Sequence, residues 1–461
     1  MPLDDAVIET LRSTVRGRLV RPSDSDYDEV RAVWNAMIDR RPGLIIRCTG
    51  AADVMRAVDF ARDRGVEIAV RGGGHNIAGN AMCDGGIVID LSSMKSVRID
   101  PWKKTARVEP GVLLGEFDKE AQAFGLATPL GINSTTGVSG LTLGGGFGWL
   151  SRKYGLSIDH LISADMVTAE GKLVLASESE NPDLFWGLRG GGGNFGVVTS
   201  FEFRLHEVGP EVLAGMMFFP FDRAPELLRR YRDVAAGAPE ELSCWVVMRQ
   251  APPLPFLPES VHGKEILVFP MCYAGDIEAG RKAIEPLKAF GDPIADIIGP
   301  MPFTAFQAAF DPLLMPGARN YWKSHDFNVL TDEVIDLSVD FTSRLPTPDC
   351  EIFIGHLGGA VKRVPADAMA YPHRDVEFVM NVHTRWGEAA MDEPCTKWAR
   401  EFFDATAPYA TGGVYVNFLN QEGEDRVRAA YGANYGRLVE LKNKYDPKNL
   451  FRMNQNIRPT R

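Results

Sequence analysis

The amino-acid sequence predicts an α+β fold built from two structurally different regions. From Leu44 to Leu205, strand-like and helix-like patterns alternate along the chain. Around residues 207–210 (Glu-Val-Gly-Pro) this character changes, and longer strand-like runs follow with helical patterns between them. Runs of strands with helices to one side are typical of an antiparallel sheet covered by helices. Three glycine-rich stretches lie in the first region, between its strands and helices.

In the first region, short runs of β-branched and other apolar residues predict strands. These runs cover residues 44–48, 66–71, 86–91, 97–100, 105–111 and 197–205. Apolar residues at helical spacing predict helices between the strands. The predicted helices cover residues 4–16, 52–64 and 112–124, and another begins at Tyr27.

In the second region the strand-like runs are longer and mostly follow one another. They cover residues 212–219, 243–248, 265–273, 351–357 and 377–383. Helical patterns lie at residues 224–235 and 276–290. This order predicts an antiparallel sheet with helices packed on it.

Glycine is concentrated in three stretches of the first region. They are VRGGGHNIAGN at residues 70–80, GVSGLTLGGGFG at 137–148 and GGGGNFG at 190–196. Consecutive glycines indicate a backbone that adopts positive φ or approaches another group closely. Bare N–H groups in such a loop can form an anion-binding nest that suits a pyrophosphate.

A single glycine run between two strands is equally typical of a tight turn. The prediction of a ligand-binding loop therefore depends on the presence of all three glycine runs. The sequence has no GxGxxG that opens a helix and no GK[ST] motif, which excludes Rossmann and Walker phosphate loops. Three glycine-rich loops separated by strands and helices favour one long ligand that passes several turns. FAD is long enough for this arrangement.

Composition and charge narrow the class of protein. A chain of 461 residues with 45% hydrophobic residues can bury a large core. The formal net charge of −11 argues against a general nucleic-acid binder and gives no reason to expect an anionic membrane as partner. No stretch has the apolar length of a membrane span, and the acidic N-terminus lacks the features of a signal peptide. We therefore expect a cytoplasmic protein.

The six cysteines lie at positions 48, 83, 244, 272, 350 and 395, without a CxxC pair or the spacing of a metal site. They are expected to be reduced and mostly structural. No metal site is predicted.

Several motifs together resemble one protein family. They are RGGGHN, the glycine run at 137–148, KYGL at 153–156, DLFWGLRGGGGNFGVV at 183–198 and YDPKNLFRMNQNI at 445–457. In this order they resemble the berberine-bridge-enzyme-like oxidases of the vanillyl-alcohol-oxidase flavoprotein fold. The matches run from about Arg41 to the C-terminus, so they cover nearly the whole chain.

The resemblance implies a PCMH-type FAD-binding domain made of two α/β subdomains, with an inserted substrate domain built on an antiparallel sheet covered by helices. We place the FAD-binding domain at residues 1–207 and 411–461, and the substrate domain at 208–410. The resemblance also implies FAD as cofactor.

His75 and Asn133 determine how the flavin is expected to be held. In the family, the histidine of RGGGHN carries the flavin through its 8α-methyl carbon, which implies covalent attachment at His75. Many relatives form a second bond through a cysteine shortly before the second glycine run. Alignment back from Gly144 puts Asn133 at that position, and no cysteine occurs between residues 84 and 243. We therefore expect a single covalent bond.

Further contacts to FAD follow from the same resemblance. The expected contact residues are Arg71, Gly72, Gly73, Gly74, His75, Asn76, Ala78, Asn133, Thr135, Thr136, Gly137, Gly140, Gly144, Val197, Asn417, Asn454 and Asn456. For the asparagines, turn or cap positions are an alternative interpretation.

The candidate catalytic residues are Tyr415, Lys323, Asn381 and His383. In Tyr-Val-Asn-Phe at 415–418, the period of a strand would put Tyr415 and Asn417 on one face and Phe418 on the other. Some carbohydrate-oxidising relatives use a tyrosine base at the position of Phe418, which argues against a sugar oxidase. A plant relative has a glutamate base near Asn381, where this chain offers no carboxylate. Tyr415 would need a nearby cation such as Lys323 to act as a base.

The sequence thus predicts an FAD-dependent oxidase. It would take a hydride from a small aromatic or heterocyclic alcohol, amine or phenolic metabolite, and O2 would reoxidise the flavin to give H2O2. A dehydrogenase of the same fold with another electron acceptor is one alternative, and a flavin-binding protein without turnover is another. We expect a monomer or a homodimer, with no nucleic acid or membrane as partner.

Overall fold

A computed structural model describes residues 5–460 of the chain. Residues 1–4 and 461 lie outside the described residues. They include the first residue of the helix predicted at 4–16 and both ends of the predicted FAD-binding domain.

The N-terminal part forms a four-stranded sheet with the order β1-β2-β4-β3. Its strands are β1 (Arg18–Val20), β2 (Leu44–Arg47), β3 (Ile68–Arg71) and β4 (Ile87–Asp90), and its helices are α1 (Asp5–Arg12), α2 (Tyr27–Arg31) and α3 (Ala51–Arg64). Strands β2, β4 and β3 run parallel, while β1 is antiparallel to β2. The first glycine loop therefore begins at the carboxyl end of the edge strand β3.

The second sheet is antiparallel and has the order β5-β6-β10-β8-β9. Its strands are β5 (Val97–Asp100), β6 (Thr105–Val108), β8 (Leu161–Thr168), β9 (Leu173–Ser177) and β10 (Gly196–Arg204), while β7 (Leu126–Ala127) pairs with β11 (His206–Glu207). The helices of this part are α4 (Leu114–Gln122), α5 (Val138–Leu143), α6 (Ser151–Tyr154) and α7 (Pro182–Leu188). The second and third glycine loops lie in the connections of this sheet.

The third sheet is antiparallel and has nine strands, seven of them in the order β16-β12-β15-β14-β19-β20-β18. They are β12 (Glu211–Pro220), β13 (Leu242–Cys244), β14 (Val246–Gln250), β15 (Glu265–Tyr273), β16 (Ala295–Asp296), β17 (Gly299–Pro302), β18 (Arg319–Phe327), β19 (Glu351–His356) and β20 (Phe378–Trp386). The helices of this part are α8 (Ala224–Gly237), α9 (Ile277–Ala283), α10 (Glu285–Lys288), α11 (Phe303–Gln307), α12 (Asp332–Thr342) and α13 (Asp392–Thr406). The α+β class predicted from the sequence is confirmed.

The two faces of the large sheet have different partners because side chains alternate along a strand. On β19, Ile352 and Ile354 are buried in the core that α8, α12 and α13 form with the sheet. Glu351 and Phe353 point to the opposite face, where they line a cavity. Strand β20 repeats the pattern, with Val382 in the core and His383 at the cavity.

The C-terminal segment folds back onto the first region through α14 (Glu424–Tyr431) and α15 (Tyr435–Tyr445). Lys442 of α15 is fully buried, and its Nζ donates to Asp446 Oδ2 at 2.7 Å and to the carbonyls of Asn194 and Phe451, each at 2.8 Å. Asp446 in turn accepts the backbone N–H groups of Leu450 and Phe451. This network joins the C-terminal segment to the third glycine loop.

Short 3-10 helices complete the secondary structure. They lie at Ser157–His160, Phe221–Arg223, Glu259–Val261, Asp311–Leu313, Gly359–Arg363, Ala389–Met391, Ala407–Tyr409, Val416–Phe418 and Gly432–Asn434.

Two local predictions are wrong. The helix predicted at 276–290 is divided into α9 and α10, because Pro286 lacks a backbone N–H and can be accommodated only in the first turn of a new helix. The segment 415–418 is not a strand, since Val416–Phe418 is a turn of 3-10 helix. The tighter winding puts the rings of Tyr415 and Phe418 on the same side, with their centroids 5.0 Å apart.

All six cysteines are free thiols and buried. Among residues 5–460, no helix is long and apolar enough to cross a membrane. The same residues contain no group of three or more His, Cys, Asp or Glu side chains arranged to hold a metal ion.

We expect Lys442→Met to destabilise the protein by about 3–5 kcal/mol, because it leaves the buried Asp446 carboxylate without its cation. The matched control is Lys444→Met, which removes a lysine two positions away whose exposed ion pair with Asp183 should contribute under about 1 kcal/mol. Urea unfolding of both variants, followed by circular dichroism, measures the difference. Equal midpoints for the two variants would contradict the role given to Lys442.

Candidate active site

The three glycine loops meet at one cavity, which has an empty volume of about 2160 Å³ including its open mouth. The first loop lines it with residues 72–76, the second with residues of the segment 131–147 and the third with residues of the segment 192–198. The C-terminal segment contributes residues 451 and 453–455, and the large sheet closes the opposite side. The cavity thus extends from the two small sheets to the inner face of the large one.

Most of the residues predicted to bind the cofactor line this cavity. They are Gly72, Gly73, Gly74, His75, Asn76, Asn133, Thr136, Gly137, Gly140, Gly144, Val197, Asn417 and Asn454. Of the candidate catalytic residues, Tyr415, Asn381 and His383 line it as well.

The first two glycine loops touch through Gly73 and Gly137. A Cβ atom at Gly73 would lie 2.4 Å from the backbone nitrogen of Gly137, and a Cβ at Gly137 would lie 2.5 Å from that of Gly73. Neither distance leaves room for a side chain, so the contact requires glycine at both positions. By contrast, a Cβ at Gly140 or Gly193 would have nothing within 4 Å. These two glycines leave open space beside the cavity.

His75 lies where the first loop leaves this contact. Its ring is stacked on Trp34, with the ring centroids 5.2 Å apart, and its Nε2 lies 3.1 Å from the Thr135 hydroxyl. Burial lowers the pKa of His75 to about 4. The imidazole is therefore neutral at neutral pH and keeps one nitrogen with a free lone pair.

Thr135 and Asn133 form a short hydrogen-bonded chain to His75. The backbone N–H of Thr135 donates to Asn133 Oδ1 at 3.0 Å, and the Thr135 hydroxyl donates to the same oxygen at 2.7 Å. Thr135 itself is outside the cavity lining, but this chain places its hydroxyl against the histidine ring.

The remaining predicted cofactor residues lie behind the lining or at its border. Arg71 donates to the carbonyl of Val30, and the carbonyl of Ala78 accepts from Gln421 at 3.3 Å. The side-chain oxygen of Asn456 is buried with no protein partner, and so is that of Asn454. Such orphan acceptors suit a ligand that supplies hydrogen-bond donors.

The part of the cavity near the large sheet is lined by aromatic rings. They belong to Trp34, Phe147, Trp245, Phe310, Trp322, Phe353, Tyr415 and Phe418. Flat apolar rings of this kind form a suitable site for an aromatic or heterocyclic compound.

Glu351 and His383 form a polar pair in this aromatic wall. Glu351 was not among the residues predicted from the sequence. The two residues are paired across β19 and β20, and His383 Nδ1 donates to Glu351 Oε1 at 3.1 Å. Arg249 holds the other carboxylate oxygen at 2.9 Å. Burial would raise the pKa of Glu351, but the charge of Arg249 and the bond from His383 outweigh it and hold the pKa below its usual value.

The second nitrogen of His383 also faces an acceptor. Its Nε2 lies 3.3 Å from Asn320 Oδ1, whose amide orientation is fixed because Asn320 Nδ2 donates to the Ala318 carbonyl at 2.8 Å. A proton held at Nε2 of His383 would therefore find an oxygen acceptor. The arrangement is that of an imidazole oriented by a carboxylate, which suits proton transfer.

Tyr415 does not meet the condition for a base. Its oxygen accepts from the Gly146 backbone N–H at 3.0 Å and from Asn417 Nδ2 at 2.8 Å, yet burial raises its pKa to about 12. Lys323 does not offset this burial, because its Nζ pairs with Glu422 at 2.6 Å and lies 4.8 Å from the Phe403 ring on the helix side of the sheet. The geometry does not support a role for Lys323 at the cavity.

Two protein-family models match this chain. Residues 42–177 match the family model described as "FAD binding domain", and residues 414–458 match that described as "Berberine and berberine like". An FAD-linked oxidoreductase of Dictyostelium discoideum is 33% identical, with 98% of this chain and 97% of that protein covered.

Two further similarities concern nicotine-related oxidases. The (R)-6-hydroxynicotine oxidase of Paenarthrobacter nicotinovorans is 33% identical, with 97% of each chain covered. The crystal structure of 6-hydroxy-D-nicotine oxidase from Arthrobacter nicotinovorans has a TM-score of 0.86 at 30% identity, with 96% of this chain and 98% of that chain covered. With both family models matched in order and relatives aligned over at least 97% of their length, the chain belongs to the berberine-bridge-enzyme-like family of FAD-linked oxidoreductases.

Proposed function

We propose that the protein is an oxidase whose FAD is attached by a single covalent bond to His75. The observation that carries the proposal is the position of this neutral, half-buried histidine, at the contact of two glycine loops and beside the aromatic wall. A cofactor carried there would have its dinucleotide along the glycine loops and the C-terminal asparagines. Its reactive ring would face the large sheet.

Bound FAD supplies hydride acceptance and the return of electrons to O2 to give H2O2. The protein would position the cofactor and the substrate and would accept the substrate's proton. Formation of the bond to His75 would replace a C–H bond of the 8α-methyl group and the imidazole N–H with a C–N bond, and O2 would be the oxidant that takes up the two protons and two electrons as H2O2. Asn133 stands in place of a second attachment point, so one bond is expected.

We propose a small aromatic or heterocyclic alcohol, amine or phenolic metabolite as substrate. The aromatic rings would bind its flat part, and its hydroxyl group would give a proton to the bare Nε2 of His383 in place of the contact with Asn320 Oδ1, while the Nδ1–H of His383 stays on Glu351. A neutral amine can lose a hydride without a strong base, whereas an alcohol or phenol needs a proton removed. The pair therefore favours substrates that carry a hydroxyl group.

The division into an FAD-binding domain (1–207 and 411–461) and a substrate domain (208–410) is part of this proposal. The first two sheets would hold the dinucleotide, and the inner face of the large sheet would hold the substrate. The cofactor's reactive ring would then lie between the two domains.

The attachment is tested on acid-precipitated holoprotein. We expect the pellet to stay yellow and peptide mass spectrometry to find one flavin, on the peptide that contains His75, because none of the described residues that line the cavity is a cysteine. His75→Gln should release all flavin into the supernatant. Free flavin from freshly purified wild-type protein, or flavin on a cysteine, would contradict the proposal.

The reaction is tested by anaerobic mixing of the yellow protein with a panel of aromatic alcohols, amines and phenols, followed by admission of air. A substrate should bleach the flavin, and air should restore the colour with release of H2O2. Colour that returns only with an artificial acceptor would instead indicate a dehydrogenase. Bleaching by no member of the panel would remove the support for the proposed substrate class.

With a hydroxylated substrate, we expect Glu351→Gln to slow anaerobic flavin reduction by about 10²–10⁴-fold, the usual range for general acid–base catalysis. Tyr415→Phe, which also changes one polar group of the cavity, should cost under about tenfold, because a phenol with a pKa of about 12 is neutral at neutral pH. Stopped-flow reduction across pH compares the two. A loss above 10²-fold for Tyr415→Phe and little loss for Glu351→Gln would reverse the assignment.

A further inference from the structure

We propose that Asn133 and Thr135 are positioning residues that hold His75 as the tautomer protonated at Nε2, which leaves Nδ1 as the nitrogen that carries the flavin. This inference rests on the proposed covalent attachment and assigns a function to the residue that replaces the second anchor.

The side-chain amide of Asn133 has a defined orientation. The backbone N–H of Thr135 donates to one atom of this amide at 3.0 Å. Only the oxygen can accept from an N–H group, so this atom is Oδ1. The orientation is therefore fixed by a backbone group.

The orientation of the Asn133 amide determines the direction of the hydrogen bond between the Thr135 hydroxyl and Asn133. The Thr135 hydroxyl lies 2.7 Å from the same Asn133 oxygen, which has no proton to give. The hydroxyl proton is thus used in the bond to Asn133. What faces His75 is a lone pair of the Thr135 oxygen.

The tautomer of His75 is then determined. A neutral imidazole has one N–H and one bare nitrogen. Because Nε2 lies 3.1 Å from a hydroxyl oxygen that acts as acceptor, Nε2 must carry the proton. Nδ1 is left bare, and stacking on Trp34 keeps the ring from turning. A bare nitrogen is the nucleophile that bond formation needs.

The chain offers matched variants for a test. Thr135→Val keeps the shape but removes the hydroxyl, whereas Thr135→Ser keeps the hydroxyl. Asn133→Ala removes the acceptor, whereas Asn133→Asp retains an acceptor oxygen for both donors. Circular dichroism and thermal midpoints establish that each variant is folded.

The direct readout is the ¹⁵N spectrum of the imidazole rings in full-length apoprotein, with His75 identified by His75→Gln. We expect protonated Nε2 and bare Nδ1 in the wild type, Thr135→Ser and Asn133→Asp, and a mixture of tautomers in Thr135→Val and Asn133→Ala. After addition of FAD, covalent attachment should be about 3- to 10-fold slower in the latter two, the factor expected for one lost hydrogen bond. The flavin-bearing wild-type peptide should show the bond at Nδ1.

A proton on Nδ1 in the wild-type apoprotein, a flavin bond at Nε2, or equal spectra for Thr135→Val and Thr135→Ser would overturn the inference. Equal slowing of attachment in all four variants would also overturn it, since that would indicate a merely structural site. If the wild type shows the expected tautomer but never binds FAD covalently, the proposed attachment fails while the tautomer assignment stands.

Discussion

The contact between Gly73 and Gly137 is the constraint on which the geometry of the site depends. At this point two backbones approach closely enough that a Cβ on either glycine would lie 2.4–2.5 Å from the nitrogen of the other. Because the loops meet here, the turn before Gly137 brings Thr135 to the ring of His75. The same contact orders both loops around one cavity. A larger residue at either position would separate the loops and remove the support of the histidine.

This packing also sets the chemistry of His75. The ring lies in an environment of low polarity, which disfavours the imidazolium and brings its pKa to about 4. A histidine on an exposed loop would be partly protonated near neutral pH and would have no fixed tautomer. Here a neutral ring is stacked on Trp34 and hydrogen-bonded at one nitrogen, so the other nitrogen is free for bond formation. In the proposed attachment, burial alone would keep this side chain neutral and nucleophilic, without a neighbouring charge.

The sequence predicted the glycine loops better than the aromatic wall of the cavity, for a physical reason. Glycine runs indicate close backbone approach, and they predicted the three loops that meet at the cavity. Glu351 was missed because its importance comes from the pairing of β19 with β20, which puts it opposite His383 although 32 positions separate the two along the chain. Local periodicity cannot reveal such a partner. It also failed at Phe418, where a single turn of 3-10 helix replaced the predicted strand.

The buried charges of the substrate side constrain how a substrate can bind. A carboxylate in an aromatic wall is costly unless it is paired and hydrogen-bonded. Arg249 and His383 each bond one oxygen of Glu351, so the negative charge of the carboxylate is already paired with the guanidinium of Arg249. The imidazole of His383 and the unpartnered amide oxygen of Asn381 are further polar groups at the cavity. In the proposed reaction, a substrate would lie with its apolar ring against Trp322 and Phe418 and its polar group toward His383 and Asn381. These polar groups would then orient the substrate for the reaction.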